Sequence, residues 1–364
     1  MKRICAIFLI VILTCSLLTG CGGGEAKKAP ETGETVTFTD SAGRQVSVPA
    51  EITRVAPSGA VATMFLASVC PDYMVCIASS PSSSQYKYLD SSLLKLPTTG
   101  QLYGSKSTIN LESLMNARPQ VIIDLGDAKD GISRDMNALQ KQTGIPVVFI
   151  EADLPHMAEA FRMLGRLLTG KTERCEELAQ YVEETVSLAE TGAARIPETQ
   201  KKSVMYTSGV SGLNTNAEGS TQAQVLPLIG AVNAVTVEDV SNRGGGNPIN
   251  MEQLYLFDPD VIIFTTGSMY SDASSDPAWQ QVRAVKEGQY YEIPALPYNW
   301  MSNPPSLNML LGIRWLGNLL YPDVYDYDMV SEAQRAYRLL WNYELSDEEA
   351  REMLSRSTLR EAIP

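Results

Sequence analysis

The sequence predicts an α/β protein with two similar lobes, each built on a mainly parallel, Rossmann-like sheet and joined by a long α-helix. Three observations support this prediction. Short apolar runs alternate with helical patterns, a helical pattern of about 40 residues lies mid-chain, and one segment recurs at an offset of about 140 residues. The length of 364 residues also favours two folding units, at roughly one domain per 150 residues.

Composition excludes several classes of function. The chain is 44% hydrophobic and 20% charged, which is enough to build ordinary cores. Its formal charge of −13 disfavours nucleic acid, because phosphate contacts need clustered Lys and Arg. The single histidine, His156, argues against zinc sites that need several imidazoles. We interpret His156 as a structural or surface residue.

The first residues predict a secretion signal. Lys2 and Arg3 precede an apolar run from Ile4 to Leu18, which is too short to span a bilayer comfortably. The sequence Leu18-Thr19-Gly20-Cys21 resembles the lipobox of bacterial lipoproteins. We expect residues 1–20 to be a signal peptide, Cys21 to carry lipid, and residues 21–34 to form a flexible tether. The alternative is a signal peptide that contains a cysteine by chance.

Three cysteines remain beyond the tether, namely Cys70, Cys76 and Cys175. An odd number gives no disulfide framework. Buried thiols are the favoured interpretation, and pairing of Cys70 with Cys76 stays open.

Residues 35–154 are predicted to form the N-terminal lobe. Two alternating runs, 35–39 and 45–48, flank a turn that contains Gly43 and predict a β-hairpin. Further strands are predicted near Val55 and at 75–77, 121–123 and 147–150, with helical patterns between them.

Residues 155–196 are predicted to be the linking helix. Phe161, Leu164 and Leu168 follow helical spacing, and Pro197 ends the pattern because proline cannot continue a helix. A helix of about 40 residues would be about 60 Å long, long enough to run between two lobes. The segment 169–171 marks a potential bend, and two shorter helices within one lobe are the alternative.

Residues 197–345 are predicted to form the C-terminal lobe, with strands at 203–206, 261–264 and 290–293. A helical tail follows from Ser306. Residues 346–364 are predicted to form the last helix and tail, with Ser346 and Glu349 as a capping box at the start of the helix.

The repeat is the most informative feature. Asn110-Leu111-Glu112 leads to Pro119 and the run 121–123, and Asn250-Met251-Glu252 leads to Pro259 and the run 261–263. Each copy predicts a loop, a short helix with a glutamate in its first turn, a proline turn and a buried strand. A carboxylate in that position favours the positive end of the helix.

These residues resemble the periplasmic-binding family for iron complexes, haem and cobalamin, the substrate receptors of ABC importers. The first-lobe part of the resemblance is Asn110-Leu111-Glu112 with Arg118-Pro119. The second-lobe part is Glu252-Gln253-Leu254 with Asp258-Pro259-Asp260. The opening segment 40–44 with Val48-Pro49 also matches, and the resemblance runs from about residue 35 to 345.

The resemblance implies a rigid linking helix, a ligand cleft between the lobes, and no enzymatic activity or resident cofactor. It implies an extracytoplasmic monomer, held at the membrane through Cys21, whose partners are an ABC permease and its ATPase. Glu112 and Glu252 would then dock on arginines of the permease. The alternative is that both glutamates only cap their helices.

Ligands of α/β sheets lie beyond the carboxyl ends of the strands, and the loops predicted there are rich in Tyr, Ser, Asn and Gly. The expected ligand is a metal complex such as an iron–siderophore, haem or a cobalamin-like molecule. No residue is assigned as a ligand to the metal; the resemblance implies His or Tyr where haem iron is coordinated, and with His156 poorly placed only a tyrosine could serve. Arg243, which precedes three glycines, is a candidate for binding a carboxylate or oxyanion. The candidate aromatic walls are Tyr86, Tyr103, Tyr270, Tyr298 and Trp300.

Two alternatives remain. One is a receptor for a small oxyanion, molybdate or tungstate, or for a small metal chelate. The more remote one is a secreted hydrolase, for which a single histidine leaves little to build a nucleophile–base pair.

Overall fold

The computed structural model describes residues 33–103, 108–242, 245–302 and 304–358. The predicted signal peptide, Cys21 and Arg243 lie outside these residues. Within them, no helix combines the length and the apolar character needed to cross a membrane.

The predicted hairpin is confirmed. Strands β1 (Thr35–Thr39) and β2 (Gln45–Pro49) pair antiparallel, with Thr39 opposite Gln45. The Asp40 carboxylate accepts hydrogen bonds from the backbone amides of Ala42 and Arg44. It thereby closes the turn in which Gly43 adopts a φ of 73°.

The first parallel sheet has the order β3-β4-β5, and its strands are β3 (Val55–Pro57), β4 (Val121–Gly126) and β5 (Val147–Glu151). The strand expected at 75–77 makes only isolated bridges, such as Ile77 with Thr98. The helices of this half are α1 (Ala60–Val69), α2 (Leu111–Asn116) and α3 (Ile132–Thr143).

The helical pattern over 155–196 forms two helices, so the expectation of one continuous helix is wrong. Helix α4 (Met157–Leu167) and helix α5 (Thr172–Ala194) are separated by a single 3₁₀ turn. The break occurs because Leu168, at φ −109° and ψ 74°, leaves the helical region. The chain then turns back, and the Thr172 hydroxyl donates to the carbonyl of Gly165 at 3.0 Å.

The second sheet has the order β11-β10-β6-β7-β9, with β8 also paired to β6. Strands β6, β8, β10 and β11 are parallel, whereas β7 runs antiparallel to β6 and to β9. The strands are β6 (Ser203–Ser208), β7 (Asn214–Thr215), β8 (Val232–Asn233), β9 (Asn247–Pro248), β10 (Val261–Phe264) and β11 (Tyr290–Glu292). The helices are α6 (Val225–Leu228), α7 (Met251–Phe257), α8 (Arg283–Lys286), α9 (Asn308–Leu320), α10 (Met329–Trp341) and α11 (Asp347–Leu354).

Helix α5 connects the two halves. It packs against α4 on one side and against α6 and α9 on the other, and its 23 residues span about 34 Å. A helix of this length is sufficient to connect the two halves, because both sheets share one buried core around these helices. The predicted capping box at Ser346 and Glu349 is confirmed at the start of α11.

The two copies of the repeat have the same local structure. Asn110 caps α2 and Asn250 caps α7, and each side chain accepts a hydrogen bond from the amide three residues later. In both following strands, alternate side chains point in opposite directions. Ile122 and Ile262 face separate outer cores, while their neighbours face the shared core.

Candidate functional site

A cavity of about 480 Å³ opens at the carboxyl ends of β3 and β4. The first half of the chain supplies most of its wall, and Pro304 and Pro305 from the second half complete it. It therefore lies at the carboxyl edge of the first sheet, against a loop of the second half, as the rule for α/β ligand sites predicts. Its polar lining residues are Ser58, Gln101, Tyr103, Asp124, Asp127 and Lys129.

The N-terminal end of α1 forms part of this wall. Gly59 is the N-cap residue and makes no side-chain capping bond. The next three residues, 60–62, also line the cavity, and their amides precede the first intrahelical hydrogen bond, from Thr63 to Gly59. An uncapped helix N-terminus favours a negatively charged group of a ligand.

Asp124 is the most buried charged group of the site, with 5% of its surface exposed. Burial raises the pKa of this carboxyl, while a hydrogen bond from the Ser58 hydroxyl and the charge of Lys129 oppose the rise. A polar side chain this deep can accept or donate a directed hydrogen bond to a ligand.

Tyr103 is a predicted wall residue that the structure brings to the cavity. Its hydroxyl donates to the Asp135 carboxylate at 3.2 Å, and the Lys129 ammonium lies 4.0 Å from its ring centroid. Burial raises the pKa of Tyr103 well above its usual value, and the nearby carboxylates add to this rise. The phenol is protonated at neutral pH, and its one O–H is engaged by Asp135.

A second, smaller cavity of about 70 Å³ lies beside α1 and is lined by Tyr298. Tyr298 also packs against Trp341, with ring centroids 6.3 Å apart. Next to it, the Gln85 side-chain amide donates to the carbonyl of Pro297 at 2.7 Å. This bond joins the two halves of the chain beside the smaller cavity.

Two other predicted wall residues line neither of these cavities. Tyr86 is exposed on a 3₁₀ turn. Tyr270 packs against Tyr290, with ring centroids 5.7 Å apart, and lies below the guanidinium of Arg356.

The expectation that Trp300 forms a wall is corrected, because its side chain has no exposed surface. Its loop packs directly on α9. A Cβ added to Gly312 would lie 2.3 Å from the Trp300 carbonyl oxygen, so the close approach depends on that glycine. Trp300 therefore belongs to the shared core.

Several cavity residues were not singled out from the sequence. Asp124 could have been predicted from the sequence, because it follows the apolar run Val121-Ile122-Ile123 near the carboxyl end of the strand. A buried carboxylate in that position is costly unless it is hydrogen-bonded. Lys129 lies in a loop after β4 and Pro305 in the loop before α9, and the sequence pattern does not show which side chains of these loops reach the cavity.

Glu112 and Glu252 occupy equivalent places. Each is the second residue of a short helix, α2 or α7, and each side chain is exposed. In the described part of the chain, neither takes part in an ion pair. Their carboxylates are accessible to a partner.

Comparisons with known proteins agree with this architecture. Residues 55–296 match the periplasmic binding protein family. The Fe(3+)-citrate-binding protein YfmC of Bacillus subtilis (strain 168) is 20% identical over 300 residues, which cover 80% of this chain and 89% of that protein.

Two solved structures are similar over most of the chain. An ABC transporter solute binding protein from Sulfurospirillum deleyianum DSM 6946 has a TM-score of 0.79 and 27% identity, covering 88% of this chain and 99% of that one. A periplasmic solute binding protein from Veillonella parvula DSM 2008 has a TM-score of 0.72 and 24% identity, covering 89% and 98%. This chain belongs to the periplasmic binding protein family and is a non-enzymatic, extracytoplasmic solute-binding protein of an ABC importer.

Proposed function

We propose that the cavity between the two lobes, 35–154 and 197–345, captures a ferric chelate whose periphery carries anionic groups. The observation that carries this proposal is the cavity of about 480 Å³ to which both halves contribute. That volume lies within the range of about 300–1,000 Å³ that is typical of sites for organic ligands. A similar protein is named for binding ferric citrate.

The lining supports recognition of the chelator rather than of the bare metal. The N-terminal end of α1 and Lys129 attract carboxylate or catecholate oxygens. The ring of Tyr103 offers an apolar wall with a polar tip, and Asp124 with Ser58 provides hydrogen bonds to neutral groups of the ligand. In this proposal the iron keeps the ligands of its own chelator, and the cavity binds the periphery of that chelator.

A small oxyanion such as molybdate or tungstate is the second candidate, and the uncapped end of α1 favours it. Its size weighs against it, because a five-atom oxyanion would leave most of the cavity of about 480 Å³ unfilled. Haem and corrinoids remain competing cargoes for the binding test.

Anchoring and docking belong to the same proposal. Lipid on Cys21 would hold a monomer at the outer face of the cytoplasmic membrane. Glu112 and Glu252 would pair with arginines of the permease, one from each lobe. Their equivalent, exposed positions on α2 and α7 support this role.

The test is native mass spectrometry of the purified protein with ferric citrate, ferric siderophores, haem, cobalamin and molybdate. We expect one equivalent of a ferric chelate to bind. The variant Lys129→Ala should weaken that binding, whereas Lys141→Ala, which removes an exposed lysine from α3, should not. Binding of molybdate alone, or equal affinities in the two variants, would contradict the proposal.

A further inference from the structure

Three side chains that can ligate a metal lie together just after β5. Glu151 ends that strand, and Asp153 and His156 follow within one 3₁₀ turn. Ala152, between the two carboxylates, lines the main cavity. The group therefore lies at the rim of the cleft.

The geometry is close to that of a coordination site. One ligand atom from each residue lies within 4.8 Å of the other two. The His156 Nδ1 is 2.5 Å from Asp153 Oδ1 and 3.8 Å from Glu151 Oε1. A tetrahedral site with bonds of about 2.1 Å needs neighbouring ligand atoms roughly 3.4 Å apart, so small side-chain rotations are enough.

The chemistry of the group fits a divalent transition metal. Two carboxylates close to each other repel, and an ion of charge +2 neutralises both. An imidazole combined with carboxylates suits Zn²⁺, Ni²⁺ or Co²⁺. The His156 side chain is 52% exposed, which leaves one side of the site open for water ligands.

We propose that Glu151, Asp153 and His156 bind one divalent transition-metal ion, such as Zn²⁺, Ni²⁺ or Co²⁺, at the rim of the cleft. This ion is distinct from the chelated cargo of the cavity. Its binding displaces the proton from His156 Nδ1, because the metal and the proton use the same nitrogen lone pair. The affinity must therefore fall as the pH is lowered.

Asp153 also has a structural role that the test must separate from ligation. Its carboxylate accepts a hydrogen bond from the His156 amide and caps the turn. Asparagine caps helices about as well as aspartate. Asp153→Asn should therefore keep the turn and remove the charged ligand.

The experiment uses the protein without a histidine tag, titrated with ZnCl₂ by calorimetry and by ¹H–¹⁵N spectra of the imidazole. Because His156 is the only histidine, a single imidazole reports on the site. We expect one ion per chain, a large shift of the Nδ1 resonance, and a proton retained on Nε2. CoCl₂ and NiCl₂ should compete with Zn²⁺.

Variants identify the ligands. His156→Ala should abolish the binding event, and Glu151→Gln and Asp153→Asn should each weaken it at least tenfold without changing the melting temperature appreciably. Glu159→Gln, which changes an exposed carboxylate of α4 that pairs with Arg166, is the matched control and should bind like the wild type. An unchanged imidazole spectrum on adding Zn²⁺, or equal affinity in His156→Ala, overturns the proposal.

Discussion

Arg118 and Asp258 are equivalent residues of the internal repeat, and both adopt a left-handed backbone, with φ values of 52° and 39°. Each follows a short helix, α2 or α7, and each precedes a proline. Left-handed conformations are unfavourable for residues with a Cβ. Both lobes thus end the same helix by the same strained turn.

Replacing these residues by glycine should affect stability unequally. Arg118→Gly should raise the free energy of unfolding by about 0.5–1 kcal/mol, because the Cβ strain is removed. Asp258→Gly should gain less, since the Asp258 carboxylate accepts hydrogen bonds from Arg283 Nε at 3.0 and 3.1 Å. Urea denaturation measures both, and a larger gain for Asp258→Gly would contradict this account.

Neutralising the two repeat glutamates should weaken docking on the permease. Each of Glu112→Gln and Glu252→Gln removes one exposed charge, so we expect an affinity loss of about two- to fivefold for each change. The double variant should lose roughly the product of the two factors. The measurement is binding to the transporter in nanodiscs at several salt concentrations, and the wild-type affinity should fall with salt.

The matched control is Glu173→Gln, because Glu173 is the second residue of α5 and is exposed as well. It should dock like the wild type, and all variants should bind cargo with unchanged affinity. Normal docking by the double variant would show that the two glutamates only stabilise their helices.

The Glu184 carboxylate predicts a pH dependence of stability. Two hydrogen bonds from Arg335, aided by one from Arg314, lower the pKa of Glu184 to about 2. A carboxyl whose pKa is lower in the folded state stabilises the protein above its unfolded pKa of about 4.5. That contribution is lost as the pH falls from about 4.5 to about 2. Because the side chain is 47% exposed, we expect it to be only about 1 kcal/mol.

The variant Glu184→Gln tests this dependence. Its deficit in the free energy of unfolding should be largest near neutral pH and should shrink between pH 4.5 and pH 2.5. Glu190→Gln, on the same helix and exposed, should show no such trend. Denaturant titrations at stepped pH values provide the measurement.

Replacing Trp300 should mainly affect stability, whereas replacing Tyr103 should mainly affect cargo binding. Trp300→Ala removes a fully buried indole and should lower the free energy of unfolding by about 3–5 kcal/mol. Tyr103→Ala removes a cavity wall and should weaken cargo binding by roughly 5- to 30-fold, with a smaller effect on stability. A stable Trp300→Ala protein that fails to bind cargo would restore Trp300 as a ligand contact.

Cargo binding should move the lobes little. The halves share a continuous core, and two further contacts join them. These are the hydrogen bond from Gln85 to Pro297 and the ion pair of Lys87 with Glu349. Small-angle X-ray scattering should give near-identical profiles with and without cargo, and a marked decrease in the radius of gyration would contradict this expectation.

The repeat explains how much of the fold could be predicted. Strands such as Val121-Ile122-Ile123 and Val261-Ile262-Ile263 could be predicted because each is a local apolar run. The helix caps Asn110 and Asn250 could be predicted because asparagine is a favoured N-cap residue. The linking helix was predicted less well. Its apolar spacing continues through Leu168, but a pattern of side chains does not show where the backbone turns back on itself.

The candidate site was predicted only in part for a related reason. Tyr103 reaches the cavity and Tyr298 lines the smaller one, whereas Trp300 is buried. Whether a loop aromatic faces a ligand or the core depends on what packs beneath the loop. Here Gly312 on α9 allows the loop of Trp300 to pack closely against the helix.

The sequence by itself determined the class of fold, the duplication of the half-molecule, the paired glutamates and the acidic character, because spacing, capping and charge are local properties. Only the tertiary structure decided which loop residues line the cleft and where the linking segment folds back. These features depend on contacts between distant segments and on side-chain orientation, which no local pattern of residues encodes.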